Sequence, residues 1–366
     1  MSNQQKINGV QLSAIVILYI IGTSILLAPS ILVSLAKQDA WIAAIIGVGV
    51  ALLFILPLYN ALGNLYPNMT LVEYSEKILG KWIGKAASFF FFTYLMILCA
   101  LVLRNIGDFM ATQILSETPS LAIYVFFVSI VIMGTRLGLE PVARAAEIFI
   151  PWVILLFFFF MIFITPQAKI DNIQPVLGNG IIPILKASGP FIVFPFLELI
   201  VFLMIFPSLN RSQDFKKAAS IGILAGGIII VITVTLSILV LGSDITRSQI
   251  YPTYSLARKI NIGDFLTRIE VIVATIWFFS IYIKLTVCFY GAALSLSQTL
   301  NLREYRMLTY PLGIILIILS IIISPDIVYE LIEIPKTMRL YTLTFGLFFP
   351  LLLITVSFIR KKLKKN

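Results

Sequence analysis

Histidine is absent from the 366-residue sequence, and only two cysteines occur, Cys99 and Cys288. Without imidazole there is no histidine proton relay, no histidine-containing metal site and no Ser-His or Cys-His nucleophilic pair. Both cysteines fall within apolar runs, where a thiol behaves as a small hydrophobic group, so no disulfide framework is indicated. Carboxylates are scattered singly, and no glycine-rich phosphate loop is followed by Lys-Ser or Lys-Thr. These absences argue against an enzyme and against a bound metal or cofactor.

Charge is scarce as well. Charged side chains make up 12% of the sequence and hydrophobic ones 60%. A soluble domain carries about twice that charged share, roughly 25%. Apolar runs of about 20 residues recur along the chain, and each is long enough to cross a bilayer core of about 30 Å. The composition therefore predicts an all-α integral membrane protein.

Ten apolar runs are predicted to cross the membrane, and the loops between them are too short for a second soluble domain. We place the crossings at residues 12–36, 40–62, 86–112, 121–137, 146–165, 188–206, 218–241, 264–297, 307–323 and 339–359. The chain 1–366 is thus interpreted as a single transmembrane domain. A division near Pro166 leaves five crossings on each side. The two halves, about 10–165 and 166–360, would then enter the membrane from opposite faces, as an inverted repeat requires.

The distribution of lysine and arginine predicts the orientation of the chain. With the N-terminus in the cytoplasm, sixteen basic residues lie inside: Lys6, Lys77, Lys81, Lys85, Arg136, Arg144, Arg211, Lys216, Lys217, Arg303, Arg306, Arg360, Lys361, Lys362, Lys364 and Lys365. Eight lie outside: Lys37, Lys169, Lys186, Arg247, Arg258, Lys259, Lys336 and Arg339. This bias satisfies the positive-inside rule with both termini cytoplasmic. The net charge of +10 is then a topology signal and a contact with the anionic headgroups of the lipid bilayer. Nucleic acid is not favoured as a partner, because no basic stripe is interleaved with aromatic residues.

Two apolar runs are interrupted at matching places in the two halves. The first carries Gly22-Thr23-Ser24 and then Pro29, and the sixth carries Pro195-Phe196-Leu197-Glu198. In a bilayer, freed backbone groups are tolerated only where protein or a water-filled cavity receives them. Paired broken helices indicate a midplane binding site between inverted repeats. We therefore predict a small-solute site at these segments, with the Glu198 carboxylate directed into it.

Six charged residues lie more than two positions from either end of a predicted crossing, where an unpaired charge is costly and is a functional hypothesis by default. They are Arg104, Asp108, Glu198, Arg268, Glu270 and Lys284. Arg104 and Asp108 stand one helical turn apart, so they either pair within their own helix or contact the ligand. Arg268 lies near the outer end of its helix and could instead extend to the interface.

Lys284 lies near mid-depth, where a lysine cannot easily reach water. Glu270, Trp277 and Lys284 are spaced by sevens and so share one face of the eighth helix. We expect the Lys284 ammonium to meet carbonyls freed by the break in the first helix and to bridge the first and eighth helices. It would then stand in for a bound cation and remove the need for sodium. The alternative is a lysine that reaches a cytoplasmic aqueous cavity and matters little.

An ordered set of short motifs runs almost from end to end. It comprises Gly22 with Pro29, Leu79-Gly80-Lys81, Arg104 with Asp108, Thr118-Pro119, Pro175-Val176-Leu177-Gly178 with Gly180, Glu198, and Arg268-Ile269-Glu270 with Trp277. On these motifs the chain resembles the spore germination permeases. These are the GerAB-like B subunits of nutrient germinant receptors, within the amino acid–polyamine–organocation (APC) superfamily. The first break of that family usually reads Gly-x-Gly, and here Ser24 replaces the second glycine.

The resemblance implies a LeuT-like fold of ten helices in a five-plus-five inverted repeat, with helices 1 and 6 broken. It also implies a complex with an A subunit and a lipoprotein C subunit in the spore inner membrane. The B subunit would bind a small nutrient, through residues among Gly22, Thr23, Ser24, Arg104, Asp108, Pro195, Phe196 and Glu198, and pass the signal on. Arg268, Glu270 and Lys284 would act as coupling or structural charges.

Three function classes remain open from the sequence. One is a receptor that binds a nutrient and changes shape without net transport. Another is a proton-coupled or facilitative amino acid transporter of the APC superfamily in the bacterial cell membrane. The third, a scaffold for an ion channel, predicts no ligand binding. The fold cannot separate them, because function depends on the site and its partners.

Overall fold

The computed structural model describes residues 6–259, 270–324, 329 and 333–363, and these residues are helical apart from turns and one backbone pair between Ile7 and Leu209. The helices are α1 (Gly9–Ala36), α2 (Ala40–Val50), α3 (Leu56–Leu65), α4 (Leu71–Leu79), α5 (Lys81–Phe109), α6 (Ser120–Leu137), α7 (Leu139–Ile164), α8 (Ile181–Phe191), α9 (Phe202–Ile205), α10 (Asp214–Ser248), α11 (Pro252–Arg258), α12 (Glu270–Thr299), α13 (Thr309–Ile322), α14 (Ile334–Leu343) and α15 (Phe349–Leu363). Wider π-helical turns join several of them, at Ala51–Ile55, Met110–Ile114, Ile192–Phe196 and Thr344–Phe348.

Nine helical segments of the described residues are long and apolar enough to cross a membrane. They are Gly9–Leu65, Lys81–Ile114, Ser120–Leu137, Leu139–Gln167, Ile181–Ser208, Asp214–Ser248, Glu270–Thr299, Tyr305–Ile322 and Ile334–Leu363. The first, at 57 residues, covers two of the predicted crossings, and its helix ends at Ala36 before a new one begins at Ala40. The number of ten crossings and the two repeats, about 10–165 and 166–360, stay predictions.

Two helices begin earlier than the hydropathy of the sequence indicated. The fifth predicted crossing begins at residue 146 but α7 begins at Leu139, and the sixth begins at residue 188 but α8 begins at Ile181. Each helix directly follows a glycine with positive φ, 103° at Gly138 and 74° at Gly180. Because glycine adopts this conformation without a steric penalty, it sets the start of the helix ahead of the apolar run.

Helix α1 lies at the centre of the bundle and is buried along most of its length against α10, α12, α8 and α7. A β-carbon added at Gly222 of α10 would lie 2.5 Å from Val16, so the small residue lets the two backbones approach closely. By contrast, α7 presents a row of large apolar side chains outward, including Trp152 and Phe158. The bundle therefore surrounds its first helix with protein and exposes α7 to lipid.

Candidate functional site

Helix α1 is broken at Gly22, where the backbone torsions are φ 4° and ψ −117°. Thr23 and Ser24 follow the break, and all three residues are buried. Pro29 does not interrupt the helix a second time, although the sequence made it a candidate; α1 runs on to Ala36. The interruption of the first run is therefore confined to one point near the middle of α1.

The sixth predicted crossing is broken at Phe194, where φ is −120° and ψ is 111°. Phe194 directly precedes Pro195. The break falls at Phe194 because a proline ring disfavours a helical conformation of the residue before it. The break lies inside a wide turn (Ile192–Phe196). A tight 3-10 segment (Leu197–Val201), which contains Glu198, follows this turn. Pro195 and Phe196 are buried, and the Phe196 ring packs edge-on against Phe191 at 5.3 Å between centroids.

Lys284 of α12 lies between the two breaks. Its Nζ is 2.8 Å from Glu198 Oε2 and donates a hydrogen bond of 2.9 Å to Thr23 Oγ1. The same Nζ lies 4.7 Å from the centre of the Phe194 ring and 5.2 Å from that of Tyr19, both within the range of a cation–π contact. We call these four groups around the Lys284 ammonium (the Glu198 carboxylate, the Thr23 hydroxyl, and the Tyr19 and Phe194 rings) the ammonium box.

The ammonium box is closed to solvent in this conformation. Lys284 is 0% exposed and Glu198 is 4% exposed. Removing two charges from water is expensive unless they compensate each other with good geometry. The ion pair leaves the middle of the bundle neutral at this point, with both charges held by partners on other helices.

Tyrosine hydroxyls donate hydrogen bonds to the backbone carbonyls beside the second break. Tyr59 donates to the Leu197 carbonyl at 2.9 Å and lies 2.7 Å from that of Gly346. Tyr19 donates to the Glu198 carbonyl at 3.3 Å, and its oxygen lies 3.2 Å from Cys288 Sγ. These contacts supply the protein partners that a broken helix needs in a membrane.

Ser24, a polar residue of the first break, has a side chain that is not used in the ammonium box. It is 0% exposed, and its hydroxyl has no hydrogen-bond partner among the residues that the structure describes. A buried hydroxyl without a partner is unfavourable by roughly 1–3 kcal/mol. The site therefore retains an unused hydrogen-bonding group within two residues of Gly22.

Gly22 makes room for the stem of Lys284. A β-carbon added at this position would lie 2.8 Å from Lys284 Cδ and 3.4 Å from Lys284 Cβ. The first of these distances is a clash, so any side chain at position 22 would have to displace the lysine. The absence of a side chain at Gly22 is what allows Lys284 to reach the ammonium box.

None of the contacts described around the Lys284 ammonium involves Arg104, Asp108 or Glu270. Arg104 Nε and Asp108 Oδ2 pair with each other at 2.9 Å, one turn apart on α5. Glu270 is the first residue of α12 and is partly buried. It is fourteen residues from Lys284, or about 21 Å along the helix. Arg268 lies outside the described residues.

Two other parts of the chain are tied to the broken helices. Helix α11 packs among α1, α10 and α12, and Thr253 Oγ1 donates to the Ile25 carbonyl, three residues beyond the break. Ile7 N–H donates to the Ser208 carbonyl at 2.9 Å, and Asn210 N–H donates to the Ile7 carbonyl at 3.0 Å. The N-terminal segment is thereby tied to the chain that follows the second broken helix.

Three residues of the site were missed by sequence reasoning: Tyr19, Tyr59 and Phe194. Aromatic residues make up 13% of the chain, so a single tyrosine or phenylalanine carries little signal. Phe194 was the easiest of the three to predict from the sequence, because the residue before a proline in a membrane helix is the expected point of distortion. The expected carbonyl partners of Lys284 are replaced by the Thr23 hydroxyl and the Glu198 carboxylate.

A family profile described as "Spore germination protein" matches residues 6–328. The chain belongs to this family. It is 32% identical to spore germination protein KB of Bacillus subtilis (strain 168), over 97% of this chain and 95% of the relative. It is 28% identical to spore germination protein YndE of the same organism, over 100% of this chain and 99% of the relative. With its apolar helices, this member of the spore germination protein family is a multi-pass membrane protein.

Solved structures with the same fold are distant in sequence. A Na+-coupled sialic acid symporter aligns with TM-score 0.67 at 9% identity, covering 93% of this chain and 78% of the symporter. MhsT in complex with L-phenylalanine aligns with TM-score 0.66 at 12% identity, covering 97% and 99% of the two chains. Mhp1, a nucleobase-cation-symport-1 family transporter, aligns with TM-score 0.63 at 13% identity, over 93% of this chain and 76% of Mhp1. The spore germination protein thus has a LeuT-like fold, which confirms the fold class predicted from the sequence.

Proposed function

We propose that this protein is the B subunit of a spore nutrient germinant receptor. It binds a small germinant, an amino acid, at a midplane site between the two broken helices and signals to its partner subunits to trigger germination. The partners are the A subunit and the lipoprotein C subunit, in the spore inner membrane. Membership of the spore germination protein family supports the biological setting.

The observation that carries the binding role is the ammonium box itself. The break at Gly22, the break at Phe194 and the buried Lys284–Glu198 pair meet at one point of the bundle, although they are far apart in the sequence. A folded core would be equally stable or more stable with apolar residues in place of a buried ion pair. Polar groups concentrated at two helix breaks are therefore best explained by a ligand that uses them.

The proposed ligand is a zwitterion. The backbone amides where α1 resumes after Gly22 suit a carboxylate, because they lie at the start of a helical segment, and Glu198 suits an ammonium. The Arg104–Asp108 pair is proposed to contact the solute on its way to the site, with Pro195 and Phe196 shaping the second broken helix. Lys284, Glu270 and Arg268 are proposed as coupling or structural charges.

An amino acid transporter is the second candidate, and the LeuT-like fold favours it. The two classes differ in whether solute crosses the membrane. The purified chain alone, reconstituted in liposomes, should bind its nutrient without accumulating it if it is a receptor subunit. Uptake above that of empty liposomes, with or without a proton gradient, would favour the transporter.

The receptor requires a defined orientation, with both termini in the cytoplasm. Asp244 is exposed near one end of α10, and Lys217 is exposed near the other. After replacement of Cys99 and Cys288, Asp244→Cys should react with an impermeant maleimide added outside, whereas Lys217→Cys should react only after permeabilisation. The reverse pattern would show that the protein has the opposite orientation.

A further inference from the structure

The ammonium box has the composition of a binding site for a primary ammonium. The Glu198 carboxylate forms an ion pair with the Lys284 ammonium, the Thr23 hydroxyl accepts a hydrogen bond from it, and two aromatic rings face the positive charge. Charge-assisted hydrogen bonds and aromatic rings are the groups by which proteins recognise ammonium ligands. In this conformation the occupant is the protein's own Lys284.

A lysine is well suited to be a removable occupant. Its charge is a compact ammonium at the end of a flexible four-carbon stem, so the charge can move while the helix stays in place. The stem passes directly beside Gly22, where an added β-carbon would lie 2.8 Å from its Cδ. Withdrawal of the Lys284 side chain would therefore vacate the ammonium box and also the space beside the break in α1.

The space that Lys284 would vacate lies beside Gly22, and Ser24, whose hydroxyl has no partner among the described residues, is two positions further along α1. This side chain is fully buried, and within the described part of the chain its oxygen has nothing to bond. Ser24 directly follows Thr23, whose hydroxyl is part of the ammonium box. The unsatisfied hydroxyl is thus a second group, independent of the ion pair, that indicates a polar solute at this place.

We propose that the Lys284 ammonium occupies the position of the ligand's own ammonium, so that the site is filled by the protein until an amine-bearing solute displaces the lysine. The proposal rests on the proposed function, because it assigns the ligand class and the resting state of the same site. Glu198 exchanges one ammonium for another, and the net charge of the ammonium box is unchanged by binding. The displaced Lys284 is the change that binding would transmit along α12.

The test uses the purified full chain in detergent and three probes: propylammonium chloride, sodium propionate with a potassium salt control, and sodium chloride. Thermal stability is measured at constant ionic strength for the wild type, Lys284→Met and the double variant Lys284→Met with Glu198→Gln. In Lys284→Met the ammonium box loses its occupant and Glu198 loses its cation. If Lys284 fills the site at least 90% of the time, propylammonium should bind this variant about tenfold or more tightly than the wild type, since only the vacant fraction is competent to bind.

The double variant is the matched control, because it keeps the vacated volume but lacks the carboxylate. It should not show the increased affinity for propylammonium. If Lys284→Met is not recovered as folded protein, Lys284→Leu gives the same comparison, since leucine is also apolar and leaves the ammonium box without an occupant. Equal propylammonium affinity in wild type and variant would overturn the proposal. So would stabilisation of the variant by sodium rather than by the amine, which would make Lys284 the substitute for a metal cation. Propionate binding that requires Lys284 would instead make the lysine the anchor of an anion.

Failure of this proposal and failure of the receptor function can be told apart. Amine binding to Lys284→Met is measured on the isolated protein and does not depend on germination. Suppose that Lys284→Met binds amines, but that no nutrient response of spores depends on the wild-type chain. The ammonium box is then supported and the receptor role fails. If those spores respond and the amine gain is absent, the receptor role stands and the self-occupied site is wrong.

Discussion

Lys284→Ala should lower the free energy of unfolding by about 3–5 kcal/mol, because it leaves the Glu198 carboxylate buried without its cation. The wild-type pair is separated by 2.8 Å, and its lysine is completely buried. Lys284→Arg should also be destabilised, since a planar guanidinium cannot replace a compact ammonium beside Gly22 and between two rings. Thermal or denaturant unfolding in detergent measures both changes.

The matched control for Lys284→Ala is Lys336→Ala. Lys336 pairs with Glu333 at a similar distance, 2.7 Å, but the two side chains are 64% and 49% exposed. An exposed pair contributes only about 0–1 kcal/mol. Combining Lys284→Ala with Glu198→Gln should recover part of the lost stability, since no unpaired charge then remains. Wild-type stability in Lys284→Ala would contradict the structural role of the ion pair. A sodium requirement for ligand binding in the wild type would contradict a site in which Lys284 supplies the positive charge beside Glu198.

Gly22→Leu should abolish the nutrient response of spores while leaving folded protein in the membrane. Even the first atom of a side chain at this position would lie 2.8 Å from Lys284, and leucine adds three more carbons beside Thr23 and Ser24. The expected effect is loss of the response at every nutrient concentration, measured as germination against nutrient dose with protein level checked by immunoblot.

Gly49→Leu provides the comparison for Gly22→Leu. Gly49 lies within α2, and a β-carbon added there meets nothing within 4 Å. This variant should retain the wild-type dose response, because leucine is a good helix former and has space at this position. A normal dose response in Gly22→Leu would place the binding site elsewhere.

The helices of this protein could be predicted from hydropathy because each apolar run is long enough to cross a bilayer. Their ends could not be placed as well. Gly138 and Gly180 start their helices ahead of the apolar runs, and α1 continues through Pro29 as if no proline were present. The break near Pro195 was predictable from covalent geometry, and only its position shifted by one residue, to Phe194.

The sequence indicates that Lys284 is a paired or functional residue, but it does not indicate which residues Lys284 contacts. A charge at mid-depth of a membrane helix indicates a paired or functional residue from sequence alone. Which group it meets depends on how α12 is rotated and shifted against α1, and Thr23 is 261 positions away in the chain. The contact is set by close packing, with glycines such as Gly22 deciding how near the helices approach. Periodicity along one helix carries no information on that register.

Nutrient binding by the purified chain tests whether the ammonium box is the germinant site. Amino acids, nucleosides and sugars are screened for thermal stabilisation of the wild type and of Glu198→Gln in detergent. We expect at least one amino acid to stabilise the wild type without sodium, and Glu198→Gln to lose this stabilisation while remaining folded. Stabilisation of both proteins to the same extent, or by no amino acid at all, would contradict it.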